Sequence, residues 1–163
     1  PYHITTPVIW KVLEELAPRG IQKMILMVQK EAADRLVWGK PGKNRSPLGV
    51  TLLRMGSVEK LFDVPPNAFN PPPRVDSTVI AVSVDNSLGL AVNPLWRELL
   101  RRSFSQRRKT LFNNLKSWEV LSPAQWECFM RDLGFRYQIR AEELSGENWE
   151  DFRTGLEKVK GGF

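Results

Sequence analysis

The chain has 163 residues, of which 42% are hydrophobic, and its formal net charge is +6 with an isoelectric point near 9.7. This length and composition predict one folded domain, or slightly more than one, with a packed core, and they exclude a disordered chain. No apolar run reaches the roughly eighteen residues that a membrane span needs. The single cysteine, Cys128, and the single histidine, His3, exclude an internal disulfide and a multi-histidine metal site, so we expect no metal.

The excess of positive charge is concentrated in one part of the chain. Residues 94–116 hold seven Lys and Arg residues and one acid, a balance of +6, whereas residues 117–163 have a balance of −3. Such a concentration favours a polyanionic partner. A charge run can also be no more than a solvated helix face, and that alternative stays open for Arg107, Arg108 and Lys109.

The first part of the chain has the pattern of an α/β sheet. Thr6, as a cap, and Pro7 are typical of a helix start, and so are Ser46 and Pro47 further along the chain. Residues 21–28 form a nearly continuous apolar run without alternation. Such a run predicts a strand that is buried on both faces. Residues 29–38 have helical spacing, so this strand lies between two helices, which favours a sheet with parallel strands.

A proline-rich segment, VPPNAFNPPPRVDS (64–77), connects two strand-like stretches, 57–64 and 77–84. It holds five of the chain's 12 prolines and one aromatic residue, Phe69. Because proline fixes φ and pushes the preceding residue out of the helical region, we predict a stiff extended loop between two antiparallel strands. Such a loop can hold Phe69 at one angle for a function, but a stiffened connection with Phe69 in the core is an equally good interpretation.

Beyond this sheet the pattern becomes helical. Residues 85–93 are loop-like, and from Pro94 onwards apolar residues recur at helical spacing. Ser122 to Gln125, reading SPAQ, has the residues of a capping box at a helix start. We interpret the aromatic stripes of these helices as core. The predicted domains are 1–84, a linker at 85–93 and a helical domain at 94–163.

Five segments carry a resemblance to a known family. They are PYHITTP, QKEAADRL, VPPNAFNPPPRVDS, SFSQRRKTLFNNL and RAEELS. In this order they resemble the ribosomal RNA adenine dimethyltransferases of the KsgA type, over nearly the whole chain. The resemblance implies an S-adenosylmethionine-dependent enzyme that dimethylates two adjacent adenosines of small-subunit ribosomal RNA. The implied fold class is α/β, with the C-terminal half of a Rossmann-like methyltransferase sheet followed by a small all-helical domain.

The resemblance also implies which residues form the site. The family's catalytic motif is Asn-Leu-Pro-Tyr, and the chain opens on its last two residues, Pro1 and Tyr2. By this resemblance Pro1, Tyr2 and Phe69 are catalytic: Tyr2 stacks on the extruded adenine and Phe69 closes its other face, while Pro1 also binds the co-substrate. The family's Gly-rich loop and ribose-binding acid are absent. We therefore interpret the chain as a C-terminal part that alone is inactive and does not bind S-adenosylmethionine measurably.

The expected partner is ribosomal RNA of the small ribosomal subunit in the cytoplasm, with S-adenosylmethionine as co-substrate and with no metal, membrane or DNA. The residues that we assign to RNA contact are basic, and they lie in the proline-rich segment and in the basic part of the helical domain. They are Arg74, Arg101, Arg102, Arg107, Arg108 and Lys109. Phosphate contacts by such residues supply most of the affinity in many RNA-binding proteins.

Three other functions stay open. The related erythromycin-resistance methyltransferases, which modify 23S ribosomal RNA, have a shorter and less proline-rich loop, so NPPPRVDS (70–77) favours the KsgA type. The mitochondrial transcription factors of the superfamily are a second alternative. A non-enzymatic RNA-binding or ribosome-assembly factor that retains the basic helices is the third.

Overall fold

The structure, a computed structural model, describes residues 2–37 and 45–161. Contacts between Cα atoms divide these residues into two compact units, an α/β unit of residues 2–37 and 45–93 and a helical unit of residues 94–161. No helix in these ranges has both the length and the hydropathy that a membrane crossing requires. Pro1, the first residue of the predicted site, lies outside the described residues. The functions that we predicted for the two domains remain proposals.

A three-stranded sheet forms the core of the α/β unit. Its strands β1 (Lys23–Gln29), β2 (Gly56–Val64) and β3 (Ser77–Val84) have the order β1-β3-β2, and both pairs are antiparallel. The predicted strands at 57–64 and 77–84 and their antiparallel pairing are confirmed. β2 carries a bulge between Lys60 and Phe62, where Leu61 has no partner in the register with β3.

β1 differs from the prediction in two ways. It pairs antiparallel with β3, so the predicted parallel pairing is wrong for the described strands, although β1 and β2 run in the same direction on either side of β3. The predicted burial on both faces is also wrong. Met24, Leu26 and Val28 are half-buried or buried, whereas Ile25 and Met27 are 64% and 45% exposed. An apolar run shows that both faces of a strand are apolar, but their coverage depends on elements elsewhere in the chain.

Three helices complete the α/β unit: α1 (Thr5–Glu15), α2 (Lys30–Leu36) and α3 (Pro47–Met55). The predicted start of α3 is confirmed, because the Ser46 hydroxyl accepts a hydrogen bond from the Gly49 N–H at 3.2 Å and Pro47 is the first helical residue. The expected Thr6 cap of α1 is wrong. This helix follows directly on a short 3-10 turn, Tyr2–Ile4, and has no side-chain cap.

The helical unit contains α4 (Pro94–Ser103), α5 (Leu111–Leu115), α6 (Pro123–Asp132) and α7 (Gly146–Gly161). Its core is aromatic, as predicted, and its largest buried side chains are Trp96, Trp126, Trp149 and Phe152. The ring centroids of Trp149 and Trp96 are 6.2 Å apart, and those of Phe152 and Trp126 are also 6.2 Å apart. Both pairs are edge-to-face, an arrangement worth about 0.5–1.5 kcal/mol beyond the buried area. These contacts connect α7 to α4 and to α6.

The predicted capping box at the start of α6 is confirmed. The Ser122 N–H donates to the Gln125 side-chain oxygen at 2.8 Å, and the Gln125 N–H donates to the Ser122 hydroxyl at 3.3 Å. Both N–H groups lack a partner within the helix, so the box fixes the point at which α6 begins.

We expect the purified chain to self-associate, because the exposed Ile25 and Met27 lie on β1, which is an edge strand of the sheet formed by residues 2–37 and 45–161. Replacing both by Lys should shift sedimentation-velocity profiles towards the monomer. A matched control replaces Leu88 and Val92 by Lys, which are 42% and 52% exposed but lie outside the sheet. A wild-type chain that stays monomeric at high concentration, or equal effects of the two double variants, would contradict this expectation.

Candidate functional site

One end of the sheet combines the proline-rich loop with the N-terminal turn. Ser77, the first residue of β3, is paired with Gln29, the last residue of β1, and with Val64, the last residue of β2. The carboxyl ends of β1 and β2 therefore meet at one place, where ligands of open α/β sheets commonly bind. Residues 65–76 start and finish at this end of the sheet.

The proline-rich loop is held by backbone hydrogen bonds. The Ala68 and Phe69 N–H groups donate to the carbonyls of Pro65 and Pro66 at 3.1 and 3.2 Å, which forms the 3-10 turn Pro66–Ala68. At the other end of the loop, the Lys30 N–H donates to the Asp76 carbonyl at 3.0 Å. The predicted extended conformation applies to the region after this turn, where Phe69 has φ −118° and ψ 153°.

Phe69 and Tyr2 both lie near this end of the sheet. Phe69 is half-buried, so it is not one of the fully buried core residues that the alternative interpretation required. The Tyr2 hydroxyl is hydrogen-bonded to the hydroxyl of Ser77, which is fully buried, and the Tyr2 carbonyl accepts a bond from the Thr5 hydroxyl at 2.9 Å. Tyr2 is thus fixed at both its ring end and its backbone. Of the three predicted catalytic residues, Pro1 alone falls outside the described part of the chain.

Charged side chains surround the same end of the sheet in complementary pairs. The Lys30 ammonium group lies 2.7 Å from the Asp63 carboxylate, which also accepts a bond from the Thr78 hydroxyl at 2.6 Å. The hydrogen bond from Lys30, and then that from Thr78, hold the pKa of the Asp63 carboxyl below its ordinary value. The same bond raises the pKa of Lys30. The neighbouring ion pairs are Glu31–Arg35 and Asp34–Lys60.

A polar recess of about 410 Å³ opens beside these pairs, and we call it the sheet-end recess. It is lined by residues of α2 and of the proline-rich loop, and the charged ones are Lys30, Glu31, Asp34, Arg74 and Asp76. Three acids against two bases do not make a strongly anion-attracting site. Arg74, predicted to bind RNA, is exposed in the wall of this recess.

The other predicted RNA-binding residues belong to the helical unit, where they fall into two groups. Arg101 and Arg102 both contact Glu98, with Arg101 nitrogens at 2.7 Å from each of its carboxylate oxygens. The hydrogen bond from Arg101 is the largest cause that lowers the pKa of Glu98 to about 2. Arg102 also lies over the Trp118 ring, 5.5 Å from its centroid. The spacing of three and four residues from Glu98 already predicts this pairing, but our sequence analysis overlooked it.

Arg107, Arg108 and Lys109 form the second group, which we call the basic turn. They are exposed and lie between α4 and α5, so the description of this run as a helix face is wrong. The ion pairs found among the described residues include neither Arg108 nor Lys109. Their charges are therefore available to a partner.

A buried side chain that sequence analysis missed holds the basic turn in place. The Asn114 amide group donates to the Ser103 carbonyl at 2.8 Å and to the Gln106 carbonyl at 3.2 Å, and it accepts from the Ser105 hydroxyl at 3.3 Å. Asn114 is only 8% exposed, so these bonds form with little competition from water. A polar residue on the inner face of a predicted amphipathic helix was the signal that could have revealed it.

The sequence model of the ribosomal RNA adenine dimethylase family matches residues 1–152. The chain belongs to this family. The curated relative "Ribosomal RNA small subunit methyltransferase A" of Thermosynechococcus vestitus is 40% identical over 153 residues, which cover 91% of the chain and 57% of the relative. The protein of the same name from Rippkaea orientalis is 36% identical over 163 residues, which cover 98% of the chain and 59% of the relative. The chain thus spans somewhat more than half the length of these relatives.

Solved structures give the same fold. A dimethyladenosine transferase from Plasmodium falciparum has a TM-score of 0.82 at 25% identity, with 98% of the chain and 65% of that protein covered. The 23S rRNA methyltransferase ErmE has a TM-score of 0.65 at 18% identity, with 96% and 62% covered, and this likeness concerns the fold alone. The family resemblance and the predicted Rossmann-like α/β fold class are confirmed.

We expect Lys30→Met to raise the pKa of the Asp63 carboxyl towards its ordinary value, because it removes the larger of two stabilising hydrogen bonds. Thr78→Val should raise this pKa by a smaller amount. An NMR pH titration of the carboxyl carbons measures both effects. The internal control is Asp85, whose pKa is lowered by its hydrogen bonds with Ser87 and should not move in either variant. An unchanged Asp63 titration in Lys30→Met would contradict the described network.

Proposed function

We propose that the chain provides the target-base wall and the RNA-binding unit of an S-adenosylmethionine-dependent ribosomal RNA adenine N6-dimethyltransferase. The observation that carries the proposal is the position of Tyr2 and of the proline-rich loop at the same end of the sheet in a member of this family. The proposed substrate is a pair of adjacent adenosines in small-subunit ribosomal RNA, and the proposed location is the cytoplasm.

The chemistry explains why aromatic residues at fixed positions are needed. The N6 amine of adenine is a poor nucleophile because its lone pair is delocalised into the ring, so the protein must mainly orient and desolvate it. S-adenosylmethionine supplies a methyl group that its sulfonium charge already activates. We propose that Tyr2 stacks on one face of the extruded adenine and that Phe69 covers the other. The hydrogen bond to the buried Ser77 keeps the Tyr2 ring in position before the base arrives.

The described residues do not form a site for S-adenosylmethionine by themselves. The sequence has no Gly-rich cofactor-binding loop, and three of the acids near the sheet end are engaged by bases. These pairs are Glu31–Arg35, Asp34–Lys60 and Asp63–Lys30. We therefore assign to this chain the recognition of the base and the RNA, with Pro1 as its proposed contact to the methyl donor.

RNA binding is assigned mainly to the basic turn. Arg108 and Lys109 are exposed and lack ion pairs with the other described residues, while Asn114 binds the Ser103 and Gln106 carbonyls just before the basic turn. Arg101 and Arg102 share Glu98, so their contribution to phosphate binding is reduced. Arg74 would contact the RNA near the target base, from the wall of the sheet-end recess.

Of the alternative functions, methylation of 23S ribosomal RNA has the weaker support. The TM-score to ErmE is 0.65, compared with 0.82 to the dimethyladenosine transferase, and the curated relatives are named for the small subunit. A non-enzymatic RNA-binding factor would retain the basic turn but would not need the fixed Tyr2 and Phe69. Activity of the Phe69 variants described below distinguishes that case.

We expect the variant Arg108→Ala/Lys109→Ala to bind small-subunit ribosomal RNA more weakly than the wild type. The slope of log K against log salt concentration should fall by about 0.7–0.9 for each phosphate contact that is lost. The matched control is Lys158→Ala/Lys160→Ala, which removes the same charge from exposed positions on α7. If both double variants keep the wild-type slope, the basic turn is only a solvated surface.

We expect Phe69→Ala to lower kcat/KM for methylation by about 5- to 150-fold in the complete gene product, because base–aromatic stacking contributes about 1–3 kcal/mol. Phe69→Tyr and Phe69→Trp should retain most of the activity. Single-turnover methylation and thermal unfolding are measured on the same samples. The control is Phe62→Ala, an aromatic residue of β2 that is 59% exposed. Full activity per folded molecule of Phe69→Ala would contradict the stacking role.

A further inference from the structure

The helical unit contains an apolar recess with an exposed aromatic ring at its rim, which we call the aromatic recess. It is formed by α5, by α6 and by the residues that follow α6, and its apolar lining consists of Phe112, Met130, Phe135 and Tyr137. Its volume is about 230 Å³, below the roughly 300–1,000 Å³ of pockets for drug-sized ligands. A recess of this size suits a single aromatic ring system better than a whole cofactor.

Tyr137 is the exposed member of this lining. The residue is 58% exposed, and its ring centroid lies 5.4 Å from that of Phe112. Phe112 thus supports the ring from one side, while much of Tyr137 remains open to a ligand. A supported, solvent-facing tyrosine is the arrangement by which proteins stack on unpaired nucleobases.

The backbone around Tyr137 is fixed by hydrogen bonds. Gly134 adopts the left-handed conformation with φ +74° after α6, and the Phe135 N–H donates to the Met130 carbonyl at 2.9 Å. The Ile139 N–H then donates to the Arg136 carbonyl at 3.0 Å. The turn that carries Tyr137 therefore needs little reordering before a base can stack on it, which favours binding.

The charges around the aromatic recess are complementary to a nucleic-acid backbone. Arg131 and Arg136 line it together with one acid, Glu127, and both arginines are exposed. Neither has an ion-pair partner in residues 2–37 or 45–161. Two such cations beside an apolar floor do not match an apolar peptide, but they match a ligand that joins a ring to a phosphate.

The segment that carries Tyr137 also lies next to the segment that follows the basic turn. The Leu111 N–H, two residues after Lys109, donates to the Ile139 carbonyl at 2.8 Å, and Ile139 is two residues after Tyr137. This bond places the two segments side by side within the helical unit. An RNA strand whose phosphates contact the basic turn would therefore pass close to Tyr137.

We propose that the aromatic recess takes one unpaired nucleobase of the bound RNA, stacked on Tyr137, with the adjoining phosphates on Arg131 and Arg136. This inference rests on the RNA-binding part of the proposed function, but it concerns a base other than the methylated adenine. The site gives the helical unit a preference for RNA that presents a looped-out or single-stranded nucleotide. Stacking is tolerant of base identity, so the preference is for structure more than for sequence.

The test compares two RNAs of equal length and charge, a hairpin with an unpaired loop and a blunt duplex, by fluorescence anisotropy with the complete gene product. Tyr137→Ala should weaken binding to the hairpin by about 5- to 150-fold and leave binding to the duplex unchanged. Tyr137→Phe and Tyr137→Trp should bind the hairpin like the wild type. The matched control is Gln138→Ala, an exposed neighbour in the same turn. Thermal unfolding confirms that each variant is folded.

A second readout reports the contact directly. With 2-aminopurine in the loop, binding of the wild type should quench its fluorescence by stacking, and Tyr137→Ala should not. The inference would be overturned if Tyr137→Ala lost the same affinity for the hairpin and for the duplex, or lost affinity for neither. It would also be overturned if the wild type bound the hairpin no more tightly than the duplex. These results leave the proposed function intact if Arg108→Ala/Lys109→Ala still lowers the affinity for both RNAs. A protein that binds neither RNA would overturn both proposals.

Discussion

The pairing of Ser77 with the last residues of two strands positions the functional parts of the α/β unit. β1 ends opposite Ser77 on one side and β2 ends opposite it on the other, so the segments that leave these strands start from one place. The Ser77 hydroxyl, fully buried, also binds the Tyr2 ring. Ser77, a single small polar residue, thus lies where the N-terminal turn, the start of α2 and the proline-rich loop come together. A larger side chain at this position would have to displace one of them, because Ser77 is fully buried and protein interiors are close-packed.

Much of the fold followed from local patterns. The proline-rich loop between two strands, the Ser46 and Ser122 helix starts and the aromatic core of the helical unit were predicted because each depends on residues close in sequence. The burial and pairing of β1 were not, because they depend on which distant elements cover its faces. The hydrogen bond between Tyr2 and Ser77 could not be predicted either, because the two residues are 75 positions apart and no local pattern indicates that they are in contact.

Net charge proved a coarse guide to the candidate RNA surface. The balance of +6 over residues 94–116 counts all seven Lys and Arg residues equally. In the structure Glu98 forms ion pairs with Arg101 and Arg102, whereas Arg108 and Lys109 have no ion pair among the described residues. Ion pairs at helical spacing can be predicted from sequence, so part of this difference was accessible. The conformation of the basic turn was not, since it depends on the buried Asn114.

The bulge at Leu61 determines which side chain faces Thr78. Beyond it, Asp63 is opposite Thr78, and the two side chains form the hydrogen bond that joins Lys30 to the sheet end. If β2 paired regularly at its present length, Leu61 would lie opposite Val79 and Phe62 opposite Thr78, with an aromatic ring in place of a carboxylate. Deletion of Leu61 would instead remove the bulge and keep Asp63 opposite Thr78. The contact between Asp63 and Thr78 therefore tolerates the loss of the extra residue, but not a regular register in a strand of unchanged length.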